Sequence, residues 1–517
     1  MGCFLYFIVI KITPYIPQCL IKICLIRSKK LTVFKQRWKI FDIINRKVKQ
    51  LKEGGKKMSE SMFLEKVVSE GISHLSYIIG HGGKAAVIDP RRDCRIYIDI
   101  AERNDMEIIH IFETHRNEDY VIGSKVLSEL TGANIYHGKA FDFDYGTPIS
   151  EGDRFEMGDL ELSVIETPGH TLESISIAIR DKGFSNDPIG VFTGDALFIG
   201  NVGRTDFYPD RDKDVAGILF DSIFGKLLPL GDQVILFPAH GAGSICGRGM
   251  AAREFSTLGY ERINNPVLQN KERQEFVDFK VAEHHYIPPY FKQMEKLNKE
   301  GATLHFENLQ ALKAYRSDAF ESASKEGMTV LDIRSPEALA GAFIEDSLAI
   351  PLNMVPAYAG WFLNYDRDIG IVSENVIDAI TASRYLFRLG YDRVKGYLVN
   401  GLTGWETSGR QYGRINAVHV KELVRRIQEK DAFTLLDVRE KGEVQSGRLP
   451  KALHIYLGYL PNELQKIPKD RPVTTFCGSG LRAIIAASIL KQNGFKHVEV
   501  SLGSMEACVA LGCPLEI

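Results

Sequence analysis

Two histidines and one aspartate follow three short apolar segments of this chain, in a pattern that could bind a metal ion. They are His115, His170 and Asp195. Apolar runs bounded by Gly, Pro and Thr are typical of buried strands, so each of these side chains is expected at the end of a strand. Two imidazoles and one carboxylate leave half of an octahedral shell open, which suits a non-haem Fe(II) handling O2 and a second small ligand. We therefore predict one Fe(II) per chain.

A cysteine near the C-terminus offers a second chemistry. Cys477 follows the apolar segment 472–476 and begins a loop that leads into a predicted helix. The loop residues after it are Gly478, Ser479, Gly480 and Leu481. Successive backbone N–H groups and the positive end of a helix dipole would stabilise a thiolate or a persulfide here. Arg482 can hold an anionic sulfur donor. Some phosphatases share this loop pattern, so the loop by itself leaves phosphate chemistry open.

The chain has 517 residues, a length that favours several domains. Its composition, 44% hydrophobic and 25% charged residues, is ordinary for a globular protein. Charge is uneven, since residues 1–57 carry 14 Lys+Arg and 2 Asp+Glu while the whole chain has a net charge of −2. The remainder is therefore negative, which argues against nucleic-acid binding.

The apolar segment 1–26 is interrupted by Lys and Pro, so we expect no membrane span, and the alternative is an anchor on the membrane surface, since cations follow the apolar stretch. Segment 52–55, KEGG, is what a purine-rich ribosome-binding site would encode, so we predict that translation starts at Met58 or Met62. The five cysteines beyond residue 57 are too scattered for a disulfide framework. A catalytic thiol and ferrous iron both need reducing surroundings, which predicts a cytoplasmic protein.

The segments around the three predicted ligands resemble the metallo-β-lactamase fold. The first of its metal motifs usually reads H-x-H-x-D-H, whereas residues 115–120 read HRNEDY, with Asn117 and Tyr120 in place of the second and last histidines. Hydrolases of this fold, such as glyoxalase II, use those positions to hold two zinc-type ions. An amide and a phenol are poor replacements for imidazole, so a dinuclear hydrolase is disfavoured.

Persulfide dioxygenases are a branch of this family that binds a single iron through the three residues retained here. Segments 203–207, GRTDF, and 238–241, PAHG, also resemble that branch. The resemblance implies that His115, His170 and Asp195 bind the metal. It further implies that Asn117, Asp119 and His240 surround the ligands, with Asp119 and His240 orienting ligands or waters. Arg204 would contact substrate carboxylates or form a structural salt bridge.

The C-terminal segments resemble rhodanese, a sulfurtransferase domain. Residues 436–440, LDVRE, and 447–452, GRLPKA, carry this resemblance together with the cysteine loop. It implies that Cys477 carries sulfur as a persulfide and that Arg482 holds anions. Ser504 departs from the family, which often has glycine there.

A degenerate copy of this domain precedes it. Asp332 repeats Asp437 at a distance of 105 residues (437 − 332). When the two copies are aligned with an offset of 104 residues, Ser373 corresponds to Cys477. Val376 then corresponds to Gly480, and Asp378 corresponds to Arg482. A serine hydroxyl cannot form a persulfide, so we expect this copy to be inactive and to serve in spacing, docking or interface formation.

These features predict an α/β multidomain chain, with an αββα metallo-β-lactamase sandwich followed by two rhodanese-like α/β domains with parallel sheets. The predicted boundaries are 1–57 for an N-terminal extension with a mis-assigned start, 58–265 for the dioxygenase domain, 266–310 for a helical connector, 311–412 for the degenerate domain and 413–517 for the active rhodanese domain.

The function predicted from these resemblances is sulfide detoxification by a bifunctional enzyme. A low-molecular-weight thiol persulfide, of glutathione or another thiol, would be oxidised with O2 to sulfite at Fe(II). Cys477 would exchange sulfane sulfur with sulfite, thiosulfate or a thiol. A homo-oligomer is expected by analogy. The alternatives are a metal-dependent thioester hydrolase with a sulfurtransferase tail, and a binding module in which only Cys477 is catalytic.

Overall fold

The computed structural model describes residues 61–243, 250–302 and 312–516. The predicted N-terminal extension and the start at Met58 lie outside these ranges. No helix within them combines the length and the apolar character needed to cross a membrane.

The first part of the described chain forms two six-stranded sheets. The first sheet has the order β1-β2-β3-β4-β5-β6, with strands Phe63–Ser69, His74–His81, Lys84–Ile88, Glu107–Glu113, Asn134–Gly138 and Thr147–Ile149. The second sheet has the order β12-β11-β10-β9-β8-β7, where β7 to β12 are Arg154–Met157, Leu160–Glu166, Ile175–Asp181, Gly190–Gly194, Ile235–Pro238 and Ser256–Thr257.

The two sheets pack face to face through side chains that alternate along their strands. Phe112 and Ile88 of the first sheet share one buried cluster with Leu162 and Ile177 of the second. Helices cover both outer faces. The first sheet is covered by Arg95–Arg103 and Ser124–Thr131, and the second by Asp212–Ser222, Leu258–Asn264 and Arg273–Ala282. This arrangement confirms the predicted αββα sandwich.

Three strands of the sandwich end immediately before the predicted metal ligands. β4 ends at Glu113, β8 at Glu166 and β10 at Gly194. Gly194 has a φ of +53°, and a Cβ there would lie 2.6 Å from the Thr114 hydroxyl oxygen. A glycine is therefore needed where the loops of β4 and β10 meet.

Two five-stranded parallel sheets with the same strand order follow. The first has the order β13-β17-β16-β14-β15, where β13 to β17 are Lys313–Tyr315, Thr329–Asp332, Leu348–Ala349, Ile369–Val372 and Val394–Leu398. The second has the order β18-β22-β21-β19-β20, where β18 to β22 are Asn416–Ala417, Thr434–Asp437, Leu453–His454, Val473–Phe476 and Val498–Val500. The shared order confirms two parallel-sheet α/β domains and is what a duplication would produce.

Helices flank these parallel sheets as in other α/β folds. The first domain contains Ser317–Lys325, Pro336–Gly341, Val355–Phe362, Val376–Arg388 and Gly401–Thr407. The second contains Val420–Glu429, Lys441–Gln445, Leu460–Glu463, Leu481–Gln492 and Ser504–Leu511.

A further helix, Phe291–Glu300, lies between the sandwich and the parallel-sheet domains in the chain. Met294 from this connector helix belongs to the same buried cluster as Tyr120 of the sandwich, Leu386 of the first parallel-sheet domain and Leu457 of the second. The apolar core is therefore continuous from the loop after β4 to the C-terminal domain.

Candidate metal centre and persulfide loop

Both predicted histidine ligands are held in the tautomer that leaves Nε2 free. The Nδ1 of His170 donates to the carbonyl oxygen of Arg204 at 3.0 Å. The Nδ1 of His115 lies 3.0 Å from the hydroxyl of Thr114, which itself donates to Asp89 at 2.7 Å and so accepts from the imidazole. Burial lowers the pKa of His115 to about 3 and also lowers the pKa of His170, so both rings are neutral. Neutral imidazoles with a free Nε2 are the form that binds metals.

The free nitrogen atoms converge on one carboxylate oxygen. Asp195 Oδ2 lies 3.7 Å from the Nε2 of His115 and 3.4 Å from the Nε2 of His170. All three atoms are buried and have no hydrogen-bond partner. Buried polar atoms are costly unless they are paired, and two lone pairs facing a carboxylate need a cation. These residues therefore fit a bound divalent metal ion.

Glu118 adds a carboxylate that the sequence reasoning missed. Its Oε2 is buried, has no hydrogen-bond partner and lies 3.9 Å from the Nε2 of His170. The possible ligand atoms of His115, Glu118 and His170 all lie within 4.8 Å of one another. Burial raises the pKa of Glu118 well above its usual value. Glu118 occupies a variable position of the H-x-H-x-D-H motif, so only its acidic character could have drawn attention to it.

His240 lies between two carboxylates and is hydrogen-bonded to that of Asp195. Its Nδ1 donates to Asp195 Oδ1 at 2.7 Å, and its Nε2 lies 3.0 Å from Asp119 Oδ2. Burial opposes charging of this ring, but Asp195 and Asp119 raise its pKa well above the usual value. Burial likewise opposes ionisation of Asp195, yet its charge interaction and hydrogen bond with His240 hold its pKa below the usual range. His240 is thus placed to orient Asp195 so that Oδ2 faces the two free nitrogens.

The two positions where the fold usually has histidine serve other contacts. The amide of Asn117 donates to the carbonyl of His115 at 3.2 Å. The ring of Tyr120 packs on His74 with the ring centroids 4.0 Å apart. These side chains support the loop and the core.

Arg204 forms a structural salt bridge. Its side chain is 1% exposed and binds both oxygens of Asp206 at 2.6 Å. It also lines a cavity of about 180 Å³ whose other walls include Tyr358 and Tyr456 from the parallel-sheet domains. Of the two roles expected for Arg204, the structure shows the salt bridge, while its carbonyl oxygen orients His170.

Cys477 lies in a separate loop directly after β21. Its sulfur accepts a hydrogen bond from the backbone N–H of Gly480 at 3.1 Å. Gly480 has a φ of +101°, which favours glycine. The backbone N–H of Cys477 donates to the hydroxyl of Ser504 at 3.1 Å, so the serine that departs from the family pattern supports the loop.

Arg482 is paired with a carboxylate that the sequence reasoning did not select. Both oxygens of Glu443 accept from its guanidinium, at 2.5 and 2.7 Å. Although burial opposes the charge on each group, the pair lowers the pKa of Glu443 and raises that of Arg482. Arg482 is therefore fixed in orientation and partly neutralised.

The degenerate domain keeps the strand and the helix but not the loop. Ser373 follows β16 and donates to the carbonyl of Asn375 at 2.8 Å, and the next helix begins at Val376. The loop is one residue shorter than 477–480, because the Asn375 side chain accepts from the N–H of Asp378 and caps the helix directly.

The predicted opposition of Val376 to Gly480 and of Asp378 to Arg482 is therefore wrong by one residue. Counted from the helix starts, Ile377 takes the position of Arg482. With either alignment, this domain has no thiol opposite Cys477 and no cation opposite Arg482.

Comparisons with known proteins divide the chain in the same way. The profile of the metallo-beta-lactamase superfamily matches residues 70–240. The profile of the rhodanese-like domain matches residues 419–511.

Individual relatives have different activities in their names. Hydroxyacylglutathione hydrolase GloC of Haemophilus influenzae is 29% identical over 209 residues, covering 36% of this chain and 88% of that protein. The mitochondrial persulfide dioxygenase ETHE1 of Mus musculus is 27% identical over 221 residues, covering 41% of this chain and 77% of that protein. A metallo-beta-lactamase structure from Staphylococcus aureus is 31% identical with a TM-score of 0.59, and it covers 65% of this chain and 99% of its own.

Replacing Glu118 by Gln should weaken metal binding. The variant replaces a buried carboxyl group, a possible metal ligand beside the Nε2 of His170, by an amide, and we expect the dissociation constant for Co(II) to rise by about tenfold or more. The measurement is competition with a chelator in the absence of O2. Glu113→Gln is the matched control, because Glu113 is equally buried but accepts a hydrogen bond from Tyr145 at 2.8 Å. Unchanged affinity in Glu118→Gln would show that Glu118 does not face the ion.

Replacing Glu443 by Gln should strengthen binding of anionic sulfur donors. The change leaves the charge of Arg482 uncompensated, so we expect the KM for thiosulfate to fall by about fivefold, an effect of the size of one partly exposed ion pair. Steady-state kinetics measures it. Glu463→Gln, which breaks an exposed pair with Lys466 in the same domain, is the control. A KM that stays constant or rises would mean that the donor does not meet Arg482.

Proposed function

Because this chain belongs to the metallo-beta-lactamase superfamily and has a rhodanese-like domain behind the sandwich, we propose that it is a bifunctional enzyme of sulfide detoxification. It oxidises a low-molecular-weight thiol persulfide, of glutathione or another thiol, with O2 to sulfite, and it transfers sulfane sulfur at Cys477. The convergence of His115 Nε2, His170 Nε2 and Asp195 Oδ2 without hydrogen-bond partners carries this proposal. The similarity to persulfide dioxygenases supports it.

The proposed cofactor is one Fe(II) per chain, held by His115, His170 and Asp195. When bound, Fe(II) supplies the redox chemistry for the reaction of O2 with the persulfide sulfur. The persulfide RSSH, O2 and one water balance to the thiol RSH, sulfite and two protons. The protein fixes the ligand geometry before metal binding, because Thr114 and the Arg204 carbonyl orient the imidazoles and His240 orients the carboxylate.

The sulfur-transfer step uses the loop around Cys477. The thiolate attacks the sulfane sulfur of thiosulfate, the S–S bond breaks and sulfite leaves with its electron pair. The resulting persulfide then passes its terminal sulfur to a thiol acceptor. The N–H of Gly480, 3.1 Å from the sulfur, stabilises negative charge on Cys477. Both chemistries share sulfite and persulfide, and the reducing conditions that they need keep the cytoplasm as the proposed compartment.

A metal-dependent thioester hydrolase with a sulfurtransferase tail is the second candidate, and the similarity to hydroxyacylglutathione hydrolase favours it. That chemistry uses two metal ions and no O2. It is disfavoured because Asn117 and Tyr120 replace two imidazoles, and an amide and a phenol are poor metal ligands. In a third candidate the sandwich is a binding module and only Cys477 is catalytic.

Metal analysis and oxygen uptake on the purified full-length protein separate the three candidates. We expect one iron per chain and O2 consumption that depends on a thiol persulfide, because the retained ligand set suits mononuclear Fe(II). Two zinc ions with thioester hydrolysis in the absence of O2 would favour the hydrolase. A protein that binds no metal when iron is supplied would favour the binding module.

Two substitutions test the division of labour between the sites. We expect His115→Ala to abolish O2 uptake and to spare thiosulfate sulfurtransferase activity, because it removes one nitrogen ligand. We expect Cys477→Ser to do the reverse, since a hydroxyl cannot carry sulfane sulfur. The controls are His110→Ala, on strand β4 before His115, and Ser373→Ala, in the degenerate domain. The division fails if either variant loses both activities while its circular dichroism spectrum is unchanged.

A further inference from the structure

One buried amide outside the sandwich holds the backbone of the metal loop, residues 115–122. Asn298 on the connector helix Phe291–Glu300 is 0% exposed. Its Nδ2 donates to the carbonyl oxygens of Asn117 at 2.6 Å and of Tyr120 at 2.9 Å. Its Oδ1 accepts from the N–H of Ile122 at 2.9 Å. A single side chain therefore uses both donors and its acceptor on this loop.

The degenerate domain holds the same loop from another side. The N–H of Val121 donates at 2.8 Å to the carbonyl of Arg388, the last residue of helix Val376–Arg388. This bond pairs a backbone N–H with one of the carbonyl groups that a helix leaves free at its C-terminal end. The loop thus contacts two segments that follow the sandwich in the chain.

Two reciprocal ion pairs fix this helix end against the sandwich. Arg388 binds both oxygens of Asp93 at 2.9 and 2.8 Å, and Arg92 binds both oxygens of Asp392 at 2.7 and 3.0 Å. The Arg92 and Arg388 side chains are only 2% and 10% exposed. Bidentate pairs of this kind constrain orientation more strongly than surface pairs do.

We propose that Asn298 is a positioning residue for the metal centre and that the degenerate rhodanese-like domain supports it through Arg388. The Asn298 amide binds the carbonyl groups of Asn117 and Tyr120, the two positions where the fold usually has metal-binding histidines. Where those histidines are present, metal ions tie the loop down at both positions. Here hydrogen bonds from Asn298 on the connector helix hold the loop in place and orient His115 and Glu118 toward the ion. This inference rests on the metal site of the proposed function.

The test measures metal binding rather than turnover alone. Asn298→Asp keeps the size of the side chain and the acceptor for Ile122 but removes both donors. Asn298→Ala removes all three hydrogen bonds. We expect the dissociation constant for Co(II) to rise by about tenfold or more in both variants, and the visible absorption bands of bound Co(II) to change. In the iron-loaded protein, kcat for persulfide oxidation should fall more than KM changes. Asn298→Ser, which keeps one hydroxyl, should show a smaller effect in the same direction.

The control distinguishes positioning from general destabilisation. Asn265 is also 0% exposed, and its amide donates to the Asn201 carbonyl at 3.1 Å and to Glu261 at 3.0 Å, while its oxygen accepts from the N–H of Val267 at 3.1 Å. We expect Asn265→Ala to lower the Tm much as Asn298→Ala does, without changing the affinity for Co(II) or its spectrum. Thiosulfate sulfurtransferase activity serves as the control for folding, and we expect it to stay constant in every variant.

Two results would overturn the inference. One is a Co(II) affinity within twofold of the unaltered protein, with the same spectrum, in both Asn298→Asp and Asn298→Ala. The other is an equal loss of affinity in Asn265→Ala. Failure of the proposed function has a different signature. An unaltered protein that binds the metal and consumes no O2 leaves the comparison of Co(II) affinities standing, whereas one that binds no metal overturns both proposals.

Discussion

The structure depends on a buried cluster of lone pairs and carboxylates that needs a cation at its centre. Two imidazole nitrogens and one oxygen each of Asp195 and Glu118, Oδ2 and Oε2, lie close together without hydrogen-bond partners. An isolated buried carboxylate costs several kcal/mol or more, so this arrangement persists only if other interactions enforce it and if a metal ion compensates it. The surrounding elements meet the first condition. The ligands follow the ends of strands. Thr114 and the carbonyl of Arg204 fix the tautomers of the two histidines by hydrogen bonds, and His240 orients the Asp195 carboxylate.

The second site stabilises negative charge in a different way. Around Cys477, backbone N–H groups and the first turn of helix Leu481–Gln492 replace a metal ion, and a left-handed glycine brings one N–H to 3.1 Å from the sulfur. The degenerate copy has the same sheet order but caps its helix with Asn375, which makes such a glycine unnecessary. The two loops therefore differ by one residue in length as well as by the serine in place of the cysteine.

The sequence predicted the features that depend on local pattern. Apolar runs before His115, His170 and Asp195 indicated strand ends, the repeated LDxR segment indicated two parallel-sheet domains, and the glycines around Cys477 indicated an anion-binding loop. Residues whose roles come from contacts between distant segments could not be found in this way. Asn298 reaches a loop about 180 positions earlier, with a separation of 181 for its bond to Asn117, and Glu443 lies 39 positions from Arg482. Neither distance leaves a periodic signal. Glu118 was overlooked because its motif position carries no fixed residue type.

The bond between Val121 and the end of helix Val376–Arg388 has a consequence for the sandwich if it is separated from the rest of the chain. The start of this helix faces the loop of Ser373, whereas its end accepts a hydrogen bond from the loop after β4. A gene truncated after the sandwich would encode the metal-binding side chains without the hydrogen bonds that hold their loop. The domain that carries Ser373 in place of a cysteine is therefore part of the framework of the sandwich, a role that needs no thiol.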